Sequence, residues 1–316
     1  QKKAAAEIAA ATTFQSVAEE YIEKREKEGL AKATMVKTRW LAAQVYPALG
    51  KKPVSEIEPF EILAVLKKIE KKGNHESAKR VCEFTSRVFR YAVITSRTRY
   101  NPAAELGAAL VTPTVKHHAA ILEPEGVGRL LRAIDGYEGF ATTKLALKIS
   151  PHVFVRPGEL RQAEWSEIDL DEAKVWRIPA AKMKSRIEHV VPLSRQVIEI
   201  LTEAKGLTGS GKFVFPSIRS SSRPMSDNTV NAALRGLGYS SDQMTAHGFR
   251  STASTLLNET GKWSSDAIER ALAHKDRDLV RGAYHRGAHW KERVAMAQWW
   301  SDHLDSLRAL KSKIPK

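Results

Sequence analysis

His247-Gly-Phe-Arg250 places a proton-transferring side chain and a permanently charged one three residues apart. Upstream lies Arg156-Pro-Gly-Glu159-Leu, and downstream come Leu-Ala-His274-Lys and Ala-Tyr284-His-Arg. Two arginines, two histidines and a tyrosine in this order are what attack on a phosphodiester requires without a metal. An arginine fork binds non-bridging phosphate oxygens through paired N–H donors. Histidine exchanges a proton near neutral pH. A tyrosine hydroxyl can become a covalent nucleophile. Each residue alone also has a structural reading: Arg156 as a surface helix start, His247 and Arg250 as a capping pair, His274 as a helix-end histidine. Tyr284 is the only tyrosine downstream of His274; Tyr137 and Tyr239 precede it.

Elements must hold these groups, and the bulk composition bounds them. A chain of 316 residues exceeds the size at which one core usually keeps growing, so two compact domains are expected. Lys+Arg minus Asp+Glu is 51 − 36 = +15, a balance that points to a polyanion, most simply nucleic acid. No apolar run is long enough to span a bilayer, and no charged-then-apolar signal peptide opens the chain. The single cysteine, Cys82, excludes an internal disulfide and a cysteine-rich metal site. It lies among apolar helical positions and is expected in a core, in a reducing cytoplasm. His117-His118 has no third ligand nearby and reads as linker. Gly209-Ser-Gly-Lys is too short for a phosphate loop and reads as a turn.

Residues 13–105 read as a helical bundle. Thr13 caps a helix carrying Phe14, Val17, Tyr21 and Ile22 inward. A second stripe runs through Met35, Trp40, Leu41 and Val45 and is expected to stop at Pro47–Gly50. Pro59 opens a third helix with Phe60, Leu63, Leu66 and Ile69. Asn74 caps a fourth with Val81, Phe84, Val88, Phe89 and Ala92 at helical spacing. From Thr12 to Leu110 there are 18 Lys/Arg against 12 Asp/Glu. Lys37, Arg39, Lys79, Arg80, Arg87 and Arg90 fall off the apolar stripes and are candidates to track DNA phosphates; the alternative is a solvated helix face. Residues 106–120 are the expected linker. Residues 121–316 form a mixed domain. Helices are expected at Leu122–Ile134 and Thr142–Val153. A hairpin spans Ile168–Ile178, and a third strand Ile187–Pro192. Helices follow at Arg195–Lys205, Asn228–Leu237, Phe249–Asn258, Ser265–His274 and Lys291–Leu310. The expected class is therefore mainly α with a small antiparallel β-sheet.

The stretches FVRPGELRQAEWSEIDL, WRIPAAKMKSRIEHVVPLS, FVFPSIRS, RPMSDNTVNAALRGLGY, TAHGFRSTASTLLNE, IERALAHKDRD and VRGAYHR resemble the catalytic domain of tyrosine recombinases. The closest likeness within them is to integrases of prophages and genomic islands. Residues 13–105 are similar, more weakly, to the helical core-binding domain. The family relative would also carry an N-terminal arm-binding domain, so residues 1–12 are expected to be the tail of a missing part. The resemblance implies that Arg156 and Arg250 clamp the phosphate. His247 and His274 assist, Glu159 orients a neighbour, and Tyr284 attacks to give a 3′-phosphotyrosyl link. It implies Lys184, eight residues before Pro192, as the acid on the leaving 5′ oxygen, with Lys182 and Arg186 as competitors. Tyr284 stands 10 residues past His274 where many relatives have nine.

No cofactor or metal is implied. The implied partner is double-stranded DNA at attachment-site cores, bound as a homo-tetramer and met as a monomer when free. A directionality factor and a host DNA-bending protein are further implied partners. The implied setting is the bacterial cytoplasm, at the nucleoid. The C-terminal helix, with Val294, Met296, Trp299, Trp300 and Leu304, either packs within the chain or docks on a neighbouring protomer. Two other readings stay open: a type IB topoisomerase-like nicking and closing enzyme, and a non-catalytic DNA-binding regulator on the same fold. The two domains are expected to close as a clamp around DNA.

Overall fold

The protein is described from a computed structural model, over residues 12–113, 119–274 and 289–310. The chain divides into two compact units, Gln1–Lys116 and His117–Lys316.

The first unit is built from four helices: α1 (Phe14–Lys27), α2 (Lys32–Leu49), α3 (Pro59–Glu70) and α4 (His75–Ile94). Thr13 starts α1, its hydroxyl accepting from the Ser16 amide at 3.2 Å, which satisfies one of the donors a helix start leaves open. Phe14, Val17 and Ile22 are fully buried against Val81, Phe84, Val88, Phe89 and Ala92 of α4. Cys82 is buried in the same core. Helix α2 ends at Leu49, within the Pro47–Gly50 stretch expected to stop it; Pro47 sits in the last turn, where it forfeits only one ladder bond, and the Gly50 amide returns to Tyr46 O at 2.9 Å. Other expectations fail here. Trp40 is 46% exposed, since Met35, Ala42, Val45 and Leu49 take the inner stripe. Phe60 is 71% exposed, with Ile62 and Leu66 filling the inner face of α3 one turn apart. Asn74 sits at the start of α4 without a side-chain capping bond. A short 3-10 turn, Leu106–Ala109, follows, and Ala103 and Leu110 pack into this core.

The second unit opens with α5 (Pro124–Asp135) and α6 (Ala141–Ile149). The latter is shorter than expected, because Pro151 has no amide to continue it. The chain then passes through Val153–Val155 into α7 (Pro157–Arg161). An antiparallel sheet in the order β1 (Ile168–Asp169), β2 (Val175–Ile178), β3 (His189–Pro192) follows, with Trp176 opposite Val191 and Ile178 opposite His189. Then come α8 (Arg195–Thr208) and a second hairpin, β4 (Pro216–Ser217) and β5 (Ser220–Pro224), absent from the sequence-level expectations because its strands are short and exposed. Three helices follow, α9 (Thr229–Gly236), α10 (Gly248–Thr260) and α11 (Ser265–Ala271), and the last described helix is α12 (Trp290–Ala309).

Helix α12 packs within its own unit. Met296, Trp300, Leu304 and Leu307 are buried with Val127 and Leu131 of α5 and with Leu256 and Leu257 of α10. Gly128 allows this approach: a Cβ there would lie 2.3 Å from Leu307 O. Polar pins add direction. Trp300 Nε1 donates to Pro151 O at 2.8 Å, and Ser301 Oγ meets His152 Nδ1 at 2.9 Å and Ser194 Oγ at 2.7 Å. Val294 is 42% exposed and Trp299 half-buried, so the inward face is narrower than expected.

Candidate active site

Arg156 stands immediately before α7 in an extended conformation, the place a Pro157 start requires. Its amide donates to Glu159 Oε2 at 2.7 Å and its Nη1 to Glu159 Oε1 at 2.8 Å. Glu159 is 5% exposed, so this carboxylate both caps the helix start and holds the guanidinium. Arg161, at the end of the same short helix, donates to Met225 O at 2.9 Å instead.

His247 precedes α10, and its side chain makes no capping bond. The glycine between it and Arg250 has a steric reason: a Cβ at Gly248 would lie 2.2 Å from Ala119 O, a backbone atom that cannot yield. Arg250, one turn in, is 4% exposed. Its guanidinium donates to Phe154 O, to Leu272 O at 2.8 Å, and meets His274 Nε2 at 3.3 Å.

The end of α11 joins the two arginines. The helix stops at Ala271, not at His274. Ala273 then takes a left-handed conformation, φ +50°. Its amide returns to Arg270 O at 3.0 Å and that of His274 to Glu269 O at 3.0 Å, the paired bonds of a Schellman turn. Turning the chain here aims two successive carbonyls at the guanidinia. Leu272 O accepts from Arg250, and Ala273 O accepts from Arg156 Nη2 at 3.2 Å. His274 Nδ1 lies 2.7 Å from Glu269 Oε2. A guanidinium only donates, so His274 meets Arg250 with its Nε2 lone pair and donates from Nδ1 to Glu269.

Burial, then the Arg156 charge, pulls the Arg250 pKa down to about 10, against the pull of Glu159 and Glu269. The group remains charged at neutral pH. Two like charges held close by backbone carbonyls form a preorganised seat for an anion.

His189 of β3 also lies in this cationic region. It is 7% exposed, and its Nε2 has no partner among the described residues. Burial, then the charge of Arg293, with smaller effects of Arg250 and Arg156, lowers its pKa to about 3. Sequence reasoning read this residue only as part of a strand. It also missed Glu269 and Ala273; the five-residue spacing from Glu269 to His274 was the available signal.

The two lysine candidates separate. Lys182 is held by Gln162 O at 2.8 Å, Glu164 Oε1 at 2.8 Å and Glu167 Oε1. Lys184 is exposed in the β2–β3 connection and makes no hydrogen bond or ion pair among the described residues. Arg186 is exposed, with a positive φ of 56°. Tyr284 lies outside the described residues, as do His117 and His118.

In the first unit, Lys37, Lys79, Arg87 and Arg90 are exposed without an ion pair among the described residues. Arg39 is paired with Glu26 at 2.8 Å and Arg80 with Glu76 at 2.6 Å. Among the described residues no group of three His, Cys, Asp or Glu side chains could hold a metal ion, and no helix is long and apolar enough to cross a membrane.

Residues 14–109 match the phage integrase central domain and residues 120–289 the phage integrase family. The chain belongs to the phage integrase family. It is 37% identical to the integrase of Enterobacteria phage P4, over 98% of this chain and 73% of that protein. It is 35% identical to the prophage integrase IntA of Escherichia coli K12, over 84% of this chain and 63% of that protein. The fold is that of lambda integrase, solved as a dimer bound to a COC' core site: TM-score 0.68 at 23% identity, covering 92% of this chain and 83% of that one. The lambda integrase tetramer bound to a Holliday junction gives TM-score 0.68 at 21% identity, over 88% and 83% of the two chains. The chain is thus a tyrosine-type site-specific recombinase by family.

Proposed function

We propose that this integrase cleaves and rejoins duplex DNA to integrate and excise a prophage or genomic island, with Arg156 and Arg250 as the phosphate clamp and Tyr284 as nucleophile. The observation that carries the assignment is the convergence of both guanidinia on the carbonyls of one turn, Leu272 and Ala273, beside His274. Charge fixed there stabilises the equatorial oxygens as the phosphorus passes through five-coordination, usually the largest catalytic term.

In the forward step the Tyr284 oxygen forms a bond to phosphorus while the bond to the 5′ oxygen breaks. The tyrosine proton passes to a base, for which His247 is the candidate. Lys184 gives its proton to the leaving 5′ oxygen; its freedom from the carboxylates that hold Lys182 suits a side chain that must reach DNA. The phosphodiester energy stays in the 3′-phosphotyrosyl bond, so an incoming 5′ hydroxyl reseals the strand by the reverse step. Glu159 and Glu269 act through Arg156 and His274. The net charge of +15 and the unpaired Lys37, Lys79, Arg87 and Arg90 of the helical unit support phosphate contacts. The tetramer seen for lambda integrase is the assembly we infer on DNA.

A nicked suicide duplex carrying the ends of the encoding element tests this. The intact chain should form a covalent adduct, and Tyr284→Phe should form none while binding the same DNA. Adduct from the Phe variant would move the nucleophile elsewhere. Nicking and closing without strand exchange would favour a topoisomerase, and binding without any adduct a regulator.

A further inference from the structure

The outer part of the β4–β5 hairpin takes no part in the core or in the reaction described above. Both roots of the hairpin are bolted to the strap that follows α7. The Trp165 amide donates to Lys212 O at 3.1 Å and the Val214 amide to Ala163 O at 2.9 Å. Arg161 donates to Met225 O at 2.9 Å, and the Met225 amide closes on Phe215 O at 2.9 Å. Val214, Phe215 and Met225 are buried. The hairpin is therefore a rigid extension of the segment that carries Arg156.

Its outer part, Pro216-Ser-Ile-Arg-Ser-Ser-Ser-Arg-Pro224, is exposed along most of its length. From Gly206 to Ser226 there is no acidic residue, against Lys212, Arg219 and Arg223. Arg219 and Arg223 have no side-chain hydrogen bond or ion pair among the described residues. Arg195 and Arg308, also exposed, are paired, with Glu199 at 3.2 Å and Asp305 at 2.6 Å; Arg129 and Arg177 are exposed and unpaired too, but neither has a second such arginine within four residues of it. Ser217 pairs with Ser220 across the tip, which leaves Ile218 and Arg219 as the two loop residues. Tight loops favour Gly, Asn or Asp. Ile218 is 57% exposed, so its side chain contributes nothing to the core it leaves.

We propose that this hairpin is a second DNA-contacting element. Arg219 and Arg223 bind backbone phosphates away from the scissile one, and Ile218 packs against sugar and base edges in a groove. The proposal rests on duplex DNA being the substrate of the site described above. The reach fits. Helix α7 spans about 7.5 Å and five residues of β5 about 16 Å, together less than the roughly 34 Å of one duplex turn. Guanidinia bind phosphate through paired donors, and apolar side chains entering a groove are an established way of gripping DNA without reading every base.

The test uses the whole chain and a short random-sequence duplex, with affinity measured between about 50 and 200 mM salt. Losing two phosphate contacts should lower the slope of log affinity against log salt by about 1.8. Wild type should then lose about tenfold more affinity than R219Q/R223Q over that fourfold rise. R219K/R223K should restore the slope, and I218A should weaken binding without changing it. An unchanged slope in the glutamine variant, or no recovery with lysine, overturns the proposal. The thermal midpoint should match wild type in all variants, since these side chains are exposed. A wild-type chain that binds duplex with no salt dependence would sink the DNA reading itself, a different outcome from failure of the hairpin.

Discussion

Replacing Arg250 separates the catalytic use of its charge from the structural use of its donors. The guanidinium is 4% exposed and donates to the carbonyls of Phe154 and Leu272, both buried residues. Arg250→Ala leaves two buried acceptors unpaired, at about 1–3 kcal/mol each. It also removes a desolvated cation beside Arg156, the two effects that lower its pKa to about 10, and this relief offsets part of the loss. Net destabilisation should be no more than about 3 kcal/mol. Loss of one preorganised donor at a developing charge costs about 3–4 kcal/mol in the transition state, or 10²–10³ in rate. Arg250→Lys sharpens the test. It keeps the charge, but a single ammonium lacks the fork that serves two carbonyls and a phosphate. Single-turnover adduct formation at saturating suicide substrate, alongside urea unfolding, reads both quantities. Cleavage should fall at least tenfold in the lysine variant while DNA affinity stays near wild type. A lysine variant with wild-type cleavage would refute the argument that fork geometry, beyond charge, is required.

Three further outcomes follow from the same geometry. Glu269→Ala removes the acceptor that orients His274 at 2.7 Å; cleavage should drop about tenfold, the value of one charge-assisted hydrogen bond, and unchanged single-turnover rates would dismiss the orienting role. Lys184→Ala should lower cleavage with little change in unfolding free energy, whereas Lys182→Ala, which takes a shared ammonium donor from Gln162 O, Glu164 and Glu167, should do the reverse; the opposite pattern would reassign the acid. His152 and His189 are buried and neutral, their pKa values lowered from 6.5 to about 4 and about 3 chiefly by burial. Their stabilising effect is complete above pH 6.5. As pH falls below that value the unfolded chain takes up protons the folded one refuses, costing about 1.4 kcal/mol per pH unit for each histidine. Urea titrations between pH 7.5 and 5 should show this slope, and His152→Gln should flatten about half of it; a flat wild-type profile would contradict burial in the neutral form.

Much of the architecture was legible locally. The inner stripes of α1 and α4 follow helical spacing, because a helix buries one face and Phe14, Val17, Ile22, Phe84 and Val88 all lie on it. The β1–β2 hairpin was legible from alternation around a turn. The errors came where a local signal is weak against packing. Trp40 and Phe60 are large and apolar, yet their positions on the helix wheel face solvent. β4 and β5 have no alternating apolar face to detect.

The sequence by itself determined which groups are available and where they fall along the chain: Arg156, Glu159, Lys184, His247, Arg250, His274 and Tyr284, with a charge of +15 that suits a polyanion. Composition, charge and short motifs are properties of the chain, so no fold is needed to read them. What the tertiary structure decided is which of those groups work together. Arg156 and Arg250 are 94 positions apart in sequence, and they meet only because the left-handed turn at Ala273 presents two carbonyls to them. Lys182 and Lys184 differ by two positions and share a residue type, so nothing local tells them apart; three acceptors brought together from the segment 162–167 do. Hydrogen bonds and desolvation depend on what lies within a few ångströms, and for those interactions sequence distance is no guide.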